Sequence, residues 1–200
     1  MAKKSKMNAY ILLDRSGSME SLWKEALGSI NGYVKELPKD ANVFMAVFDS
    51  NGYDVIRNTT AGDWKSLSND DAMPRGGTPL FDASARMMLR ILDDKPDKAV
   101  FVTMTDGEEN QSQNFRQHHV KALVKNLEDR DYQVLFLGAN FDKVGDVANQ
   151  YGIKGSSWTN ITPVNLNATM STLGTASMNY MTGSLRSVDI SDDMKKKATS

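Results

Sequence analysis

The chain reads as an α/β protein with a doubly wound, mostly parallel central sheet, helices on both faces and one antiparallel edge strand. Three observations predict this. Apolar runs of strand length alternate with stretches of helical periodicity over most of the 200 residues. The first run, Ala9-Tyr10-Ile11-Leu12-Leu13, has no polar face, as a strand covered on both sides requires. Asn51-Gly52 then separates two runs by a tight-turn signal, which sets a returning edge strand beside parallel neighbours.

Each element has a local reason. After the Ala9 strand, a helix is expected from Ser18 to Glu36, with Leu22, Ala26, Ile30 and Tyr33 on its inner stripe. Val43 to Phe48 is the next strand, and Tyr53 to Arg57 returns antiparallel to it. Thr59 to Gly77 is polar and irregular, with a helical turn expected around Asp63 to Leu67. A helix starts at Pro79, with Leu80, Ala83, Met87 and Ile91 facing inward. Lys98 to Thr103 forms a central strand, Ser112 to Asp129 a helix, Val134 to Leu137 a strand and Asp142 to Tyr151 a short helix. Ser156 to Ile161 is a short last strand. Thr162-Pro163 supplies an N-cap and a first-turn proline for a helix whose inner face carries Leu166, Met170, Leu173, Ser177 and Tyr180. One domain over residues 8–185 is expected, preceded by a basic lead (1–7) and followed by a loose polar tail (186–200) ending in three lysines.

Composition narrows the function classes. Apolar residues at 40% and charged residues at 24% give a core-forming balance rather than that of a disordered chain. A net charge of −1 supplies no global field for nucleic acid or anionic lipid, and no apolar run reaches the length of a membrane span. With no cysteine, disulfides, thiolate zinc sites and cysteine nucleophiles are excluded, and a cytoplasmic setting is expected.

Three separated segments carry the chemistry. Asp14-Arg15-Ser16-Gly17-Ser18 lies where the first strand turns into a helix and offers one carboxylate and two hydroxyls. Gly76-Gly77-Thr78-Pro79-Leu80 offers a further hydroxyl, and Thr103-Met104-Thr105-Asp106-Gly107 a second carboxylate. In a doubly wound sheet, ligands sit beyond the carboxyl ends of strands where strand order reverses. The right-handed crossover rule makes the Ala9 and Ala99 strands neighbours across that point. Asp14 and Asp106 should therefore face one crevice, with the Gly76-Gly77-Thr78 loop above it. All-oxygen donors suit a hard dication, Mg²⁺ first, with Mn²⁺ or Ca²⁺ as alternatives. Two carboxylates roughly neutralise it, so a third, from a partner's Asp or Glu, is still attracted.

These residues resemble those of a von Willebrand factor A (VWA) domain. Asp14-x-Ser16-x-Ser18, Thr78 and Asp106-Gly107 look like the five-residue metal-ion-dependent adhesion site of that family, and the likeness runs from about Asn8 to Gly183. The resemblance implies a Rossmann-like VWA fold and a Mg²⁺ site that captures an acidic side chain of a protein partner. It further implies that Ser16 and Ser18 bind metal directly while Asp14 and Asp106 act largely through water. Gly-Gly-Thr-Pro-Leu and Thr-Asp-Gly-Glu-Glu-Asn look most like the intracellular bacterial and phage branch.

The expected function is thus a non-enzymatic, Mg²⁺-dependent binding module, an adaptor or assembly factor. The alternatives are a Mg²⁺-dependent phosphoryl-transfer enzyme and a structural subunit whose metal pins loops together. A phosphatase of the haloacid dehalogenase type would want an aspartate where Ser16 stands, and neither a phosphate loop nor Gly-x-Ser-x-Gly occurs. Asp82, Glu108, Glu109 and Asn110 are near enough in sequence to border the crevice. Glu108 and Glu109 are expected to be solvated loop residues, and Asp82 to favour the dipole of its helix. His118 and His119 diverge by about 100° on a helix and cannot jointly grip one metal, so a surface role is expected. Of the twelve methionines, Met87, Met88, Met170 and Met178 sit at helical spacings and are assigned mostly to the core.

Overall fold

The computed structural model describes residues 7–200. Residues 1–6 of the expected basic lead lie outside it, and the last residue of that lead, Met7, opens the first strand. Six strands form one sheet: β1 (Met7–Asp14), β2 (Asn42–Asp49), β3 (Gly52–Thr60), β4 (Lys98–Thr105), β5 (Gln133–Ala139) and β6 (Trp158–Ile161). Their order is β3-β2-β1-β4-β5-β6, with only the β2–β3 pair antiparallel. Strand order reverses between β1 and β4, as the crossover rule requires.

Six α-helices flank the sheet: α1 (Trp23–Glu36), α2 (Leu80–Asp94), α3 (Gln117–Glu128), α4 (Val144–Tyr151), α5 (Leu166–Thr182) and α6 (Asp192–Thr199). The period-2 alternation of β1 divides them into two layers. Ala9, Ile11 and Leu13 pack with α1, α5 and α6, while Tyr10 and Leu12 pack with α2, α3 and α4. β1 is therefore buried on both faces. Gly174 of α5 is needed for close approach: a Cβ there would lie 2.7 Å from the carbonyl oxygen of Tyr33 on α1. Leu166, Met170, Leu173, Ser177 and Tyr180 are all buried, as their spacing predicts, and Met87, Met88 and Met170 are core residues. Among the described residues no helix is long and apolar enough to cross a membrane.

Several boundaries differ from expectation, each for a local reason. The helix expected from Ser18 opens as a 3-10 segment, Gly17–Leu22, tightened by the bond from Met19 N–H to Ser16 O, and becomes α-helical only at Trp23. The helical turn expected at Asp63 to Leu67 falls instead on Ala61–Asp63, where Thr60 Oγ1 accepts from Asp63 N–H. The helix expected from Ser112 begins at Gln117, because the N–H groups of Gln113, Asn114 and Phe115 bond to the Asp82 carboxylate instead. The last strand starts at Trp158, after a 3-10 turn at Gly155–Ser157. Thr162 does not cap with its side chain; its hydroxyl donates to Ala198 O.

The tail is the largest correction. Residues 186–200 are not a loose end: Val188, Ile190 and Ala198 are buried in the main core, and Ser191 caps α6 through Met194 N–H. Ile190 N–H donates to Ser156 O and Thr162 N–H to Ala198 O, so the segment seals the β6 side of the sheet. Lys195 spans the Trp158 ring and reaches Gly155 O. A polar composition concealed the docking because only four apolar side chains carry it, the fourth being the partly buried Met194. Ile190→Ala is accordingly expected to destabilise the fold by about 2–4 kcal/mol, as a buried large-to-small change does. Urea denaturation measures it; an unchanged midpoint would mean the segment does not contribute to the core.

Candidate metal centre

β1 and β4 run parallel with Leu13 opposite Met104, so the residues that follow leave the sheet side by side. Asp14 closes β1, and Asp106 follows the last residue of β4. Asp14 Oδ1 accepts from Ser16 N–H at 2.7 Å, which folds the turn back on itself. Ser16 Oγ and Ser18 Oγ are 3.1 Å apart, and Ser18 Oγ donates to Asp106 Oδ1 at 2.7 Å. On the far side of Asp14, Thr105 Oγ1 donates to Oδ2 at 2.7 Å. Thr78 is buried and held at both ends by Asn110: its N–H donates to Asn110 Oδ1 at 2.9 Å, and its carbonyl accepts from Asn110 N–H at 3.1 Å. Its hydroxyl stands 3.8 Å from where a Cβ on Gly107 would be. All five predicted residues thus come to one end of the β1–β4 seam.

The electrostatics suit a cation. Asp14 is fully buried, and burial pushes its carboxyl up to about 6; the Thr105 hydroxyl and the Ser16 N–H oppose this, while the nearby Asp106 carboxylate adds to it. Asp106 is raised as well, by burial against the opposing hydrogen bond from Ser18. Two carboxylates held above their usual range within one hydroxyl-lined crevice lack a compensating positive charge. An oxygen-preferring divalent ion would supply it, and two carboxylates with three hydroxyls are a donor set that could hold one such as Mg²⁺. Ser18 is exposed and Asp106 half-buried, so the crevice opens to solvent on that side.

Sequence reasoning missed the framework holding these loops. Arg15, almost fully buried, donates from Nε to Asp49 Oδ2 at 2.6 Å and from Nη2 to Asp54 at 2.5 Å. Arg75 shares the same Asp49 oxygen at 2.9 Å. Backbone bonds repeat the connection: Arg75 N–H to Arg15 O, Gly17 N–H to Gly76 O, and Ser50 N–H to Gly77 O. Gly76 has φ +69, and a Cβ there would stand 2.5 Å from Ser50 Oγ, so only glycine serves. Burial of Asp49 alone would raise its carboxyl, but Arg75, the Asn51 N–H and Arg15 outweigh it and hold it below the usual range. A signal existed for this pair. Asp14 is opposite Phe48 in the register, which sets Arg15 beside Asp49 one step on.

The neighbouring acids are not spectators. Glu109, expected to be solvated, accepts from Phe81 N–H at 2.7 Å, Gln111 N–H at 2.8 Å and Ser112 N–H at 2.6 Å, tying the start of α2 to the loop after β4. Asp82 returns the connection through Gln113, Asn114 and Phe115. Glu108 is exposed as expected and pairs with Lys143 at 2.6 Å. The rings of His118 and His119 approach to 3.9 Å between centroids, closer than their angular separation suggested. Both remain exposed on α3, and His119 Nδ1 is occupied by Arg116 N–H.

No family model and no curated protein matches this chain. Solved structures do. A von Willebrand factor type A protein from Catenulispora acidiphila aligns over 88% of this chain with TM-score 0.66 and 18% identity. The vWF domain of the type V pili tip protein Mfa5 from Porphyromonas gingivalis aligns over 86% with TM-score 0.65 and 11% identity, covering 95% of that chain. Proximal thread matrix protein 1 from the mussel byssus, solved with zinc in its MIDAS motif, aligns over 86% with TM-score 0.61 and 16% identity. The chain spans less than half the length of the Catenulispora and mussel proteins, at 43% and 48%. The fold is that of VWA domains.

Two predictions follow from the charges. With no metal bound, native Asp14 takes up its proton as the pH falls through about 6 and the unfolded chain only near 3.8, so above pH 6 the buried charge costs the fold on the order of 3 kcal/mol. Asp14→Asn should raise the metal-free Tm at pH 7.5 by about 6–12 °C. It should also abolish the upward shift that Mg²⁺ gives the wild type in a thermal melt. A lowered Tm, or a retained Mg²⁺ shift, would refute this assignment. Arg15→Ala strands Asp49 with Arg75 alone, and a loss of about 3 kcal/mol is expected in urea denaturation. Because the Asp49 carboxyl is held down, that loss is complete above the unfolded value of 3.8 and fades as the pH falls below it.

Proposed function

We propose that the chain is a Mg²⁺-dependent protein-binding module that captures an acidic side chain of its partner, acting as an adaptor or assembly factor and not as an enzyme. One observation carries the reading: the Ser18 and Asp106 oxygens meet at an open rim, with Ser16 in contact with Ser18 and Asp14 fully buried behind them. Mg²⁺ takes six oxygens and gives up water reluctantly. Five protein groups, some acting through water, leave a coordination position facing solvent. The charge balance favours a carboxylate there, because Asp14 and Asp106 only neutralise the ion. Ser16 and Ser18 would hold it directly and Thr78 directly or through water, depending on ligation, with Asp14 and Asp106 behind as charge and water-orienting groups.

Zinc in the MIDAS motif of the mussel protein supports a divalent ion at this place in the fold, and the residue types here favour Mg²⁺ over zinc. A pili tip protein among the structural neighbours is consistent with a role in holding proteins together. The Gly-Gly-Thr-Pro-Leu and Thr-Asp-Gly-Glu-Glu-Asn segments favour an intracellular protein of the bacterial and phage branch.

The test is affinity capture with immobilised wild type and Asp14→Ala, each in Mg²⁺ or in EDTA, followed by identification of retained proteins. A partner present only with wild type and Mg²⁺ is expected, and acidic peptides added in excess should release it. Capture that survives both EDTA and Asp14→Ala would refute the mechanism. Turnover of phosphate esters lost on Asp14→Asn would replace it with phosphoryl transfer.

A further inference from the structure

Beside the metal rim lies a groove of about 480 Å³ between the β2–β3 turn, the outer face of α2 and the loop after β4. It adjoins the crevice at the Thr78–Pro79 step. Pro79, next to Thr78, lines it, and Gln111 forms its near edge, packed so tightly over Gly77 that a Cβ there would lie 2.8 Å from Gln111 Cγ. Its walls mix apolar and polar surface: Tyr53 and Phe115 are half-buried, Leu89 is 46% exposed, and Asn114 offers a carboxamide.

The charges in the groove are unequal in availability. Asp49 is consumed by Arg15 and Arg75, and Asp82 by the N–H groups of Gln113, Asn114 and Phe115. Arg86 is exposed, its guanidinium 4.3 Å from the centre of the Tyr53 ring, and among the described residues no carboxylate oxygen lies within 4.0 Å of it. It is held against the ring and is open to solvent. The groove therefore presents one available cation beside an apolar strip.

We propose that this groove receives the same partner segment that reaches the metal, in extended form, with a second acidic side chain on Arg86 and an apolar residue against Leu89 and Phe115. The inference rests on the metal-dependent reading above and adds the partner's sequence pattern to it. Spacing follows from the helix. Leu80 to Arg86 is a rise of about 9 Å, which extended chain covers in about three residues. The segment recognised then has two acidic residues three to four positions apart, with an apolar residue between or beside them. Specificity comes from the groove, because the metal alone accepts any accessible carboxylate.

The test uses a phage-displayed library of nine-residue peptides with one fixed central Asp, selected on the immobilised full chain in Mg²⁺ or EDTA. Wild type should enrich, in Mg²⁺ only, peptides with a second Asp or Glu three or four positions from the fixed one. Arg86→Glu should keep the Mg²⁺ requirement and switch that position to Lys or Arg, with wild-type-selected peptides bound about tenfold more weakly. Leu89→Asp should remove the apolar preference. Both substitutions are at exposed positions, and an unchanged Tm verifies that each variant is folded. Mg²⁺-dependent selection with no positional preference, or one unchanged in Arg86→Glu, overturns the groove while leaving the metal reading intact. Absence of any Mg²⁺-dependent selection removes both.

Discussion

A carboxylate with no solvent exposure is the constraint around which this end of the molecule is arranged. Asp14 closes a strand buried on both faces, at the one place where the sheet changes direction, and nothing apolar can neutralise it. Thr105 and the Ser16 N–H each contribute a hydrogen bond, yet burial still holds the group well above its ordinary titration range. A second carboxylate, Asp106, is drawn into the same crevice by Ser18. Two like charges in one low-dielectric pocket are unfavourable unless a cation joins them. In the function proposed here, that unfavourable charge is the device that would give the site its affinity for an ion.

That device works only if the loops around it are held independently of the metal, and here they are. Asp49, the last residue of β2, takes an arginine from the β1 turn and another from the threonine loop. Asn110 clamps Thr78 from the loop after β4, while Glu109 and Asp82 bind that loop to the start of α2. Five acids in the region therefore fall into two groups. Asp49, Asp82 and Glu109 are saturated by donors and fix backbone; Asp14 and Asp106 are left short of positive charge. Burial alone does not distinguish them, since Asp49 and Asp14 are both inaccessible; the arginines do.

The fold was legible because it depends on periodicity. The alternation of strand and helix runs, the Asn51-Gly52 turn and the crossover rule were enough to reach the observed strand order. The five oxygen-bearing residues were legible for the same reason, since each stands at a strand end or helix start that periodicity locates. The framework was not. Glu109 looks like any loop acid until its side chain is seen to face three N–H groups contributed by α2 and by its own loop. Arg15 occupies an unspecified position of the motif, and its buried partners, 34 and 39 residues away, become visible only through the β1–β2 register. The tail failed for the opposite reason: its composition is that of a solvated end, and four apolar residues among many polar ones were too weak a signal.

The same physics explains why recognition would spread beyond the ion. A metal that completes its shell with one carboxylate provides strength and an absolute requirement for acid, but almost no discrimination among the many acidic residues on protein surfaces. Discrimination needs a second, directional contact at a fixed distance. Arg86 meets that need because its own helix mates are already committed: Asp82, one turn earlier, faces three backbone donors and is unavailable to pair with it. Had the loop after β4 been solvated, as its composition suggested, Asp82 would have been free to pair with Arg86 and the groove would present no net charge. Ordering of that loop and availability of the arginine are therefore one structural fact, fixed by the two carboxylates that fasten the loop to α2.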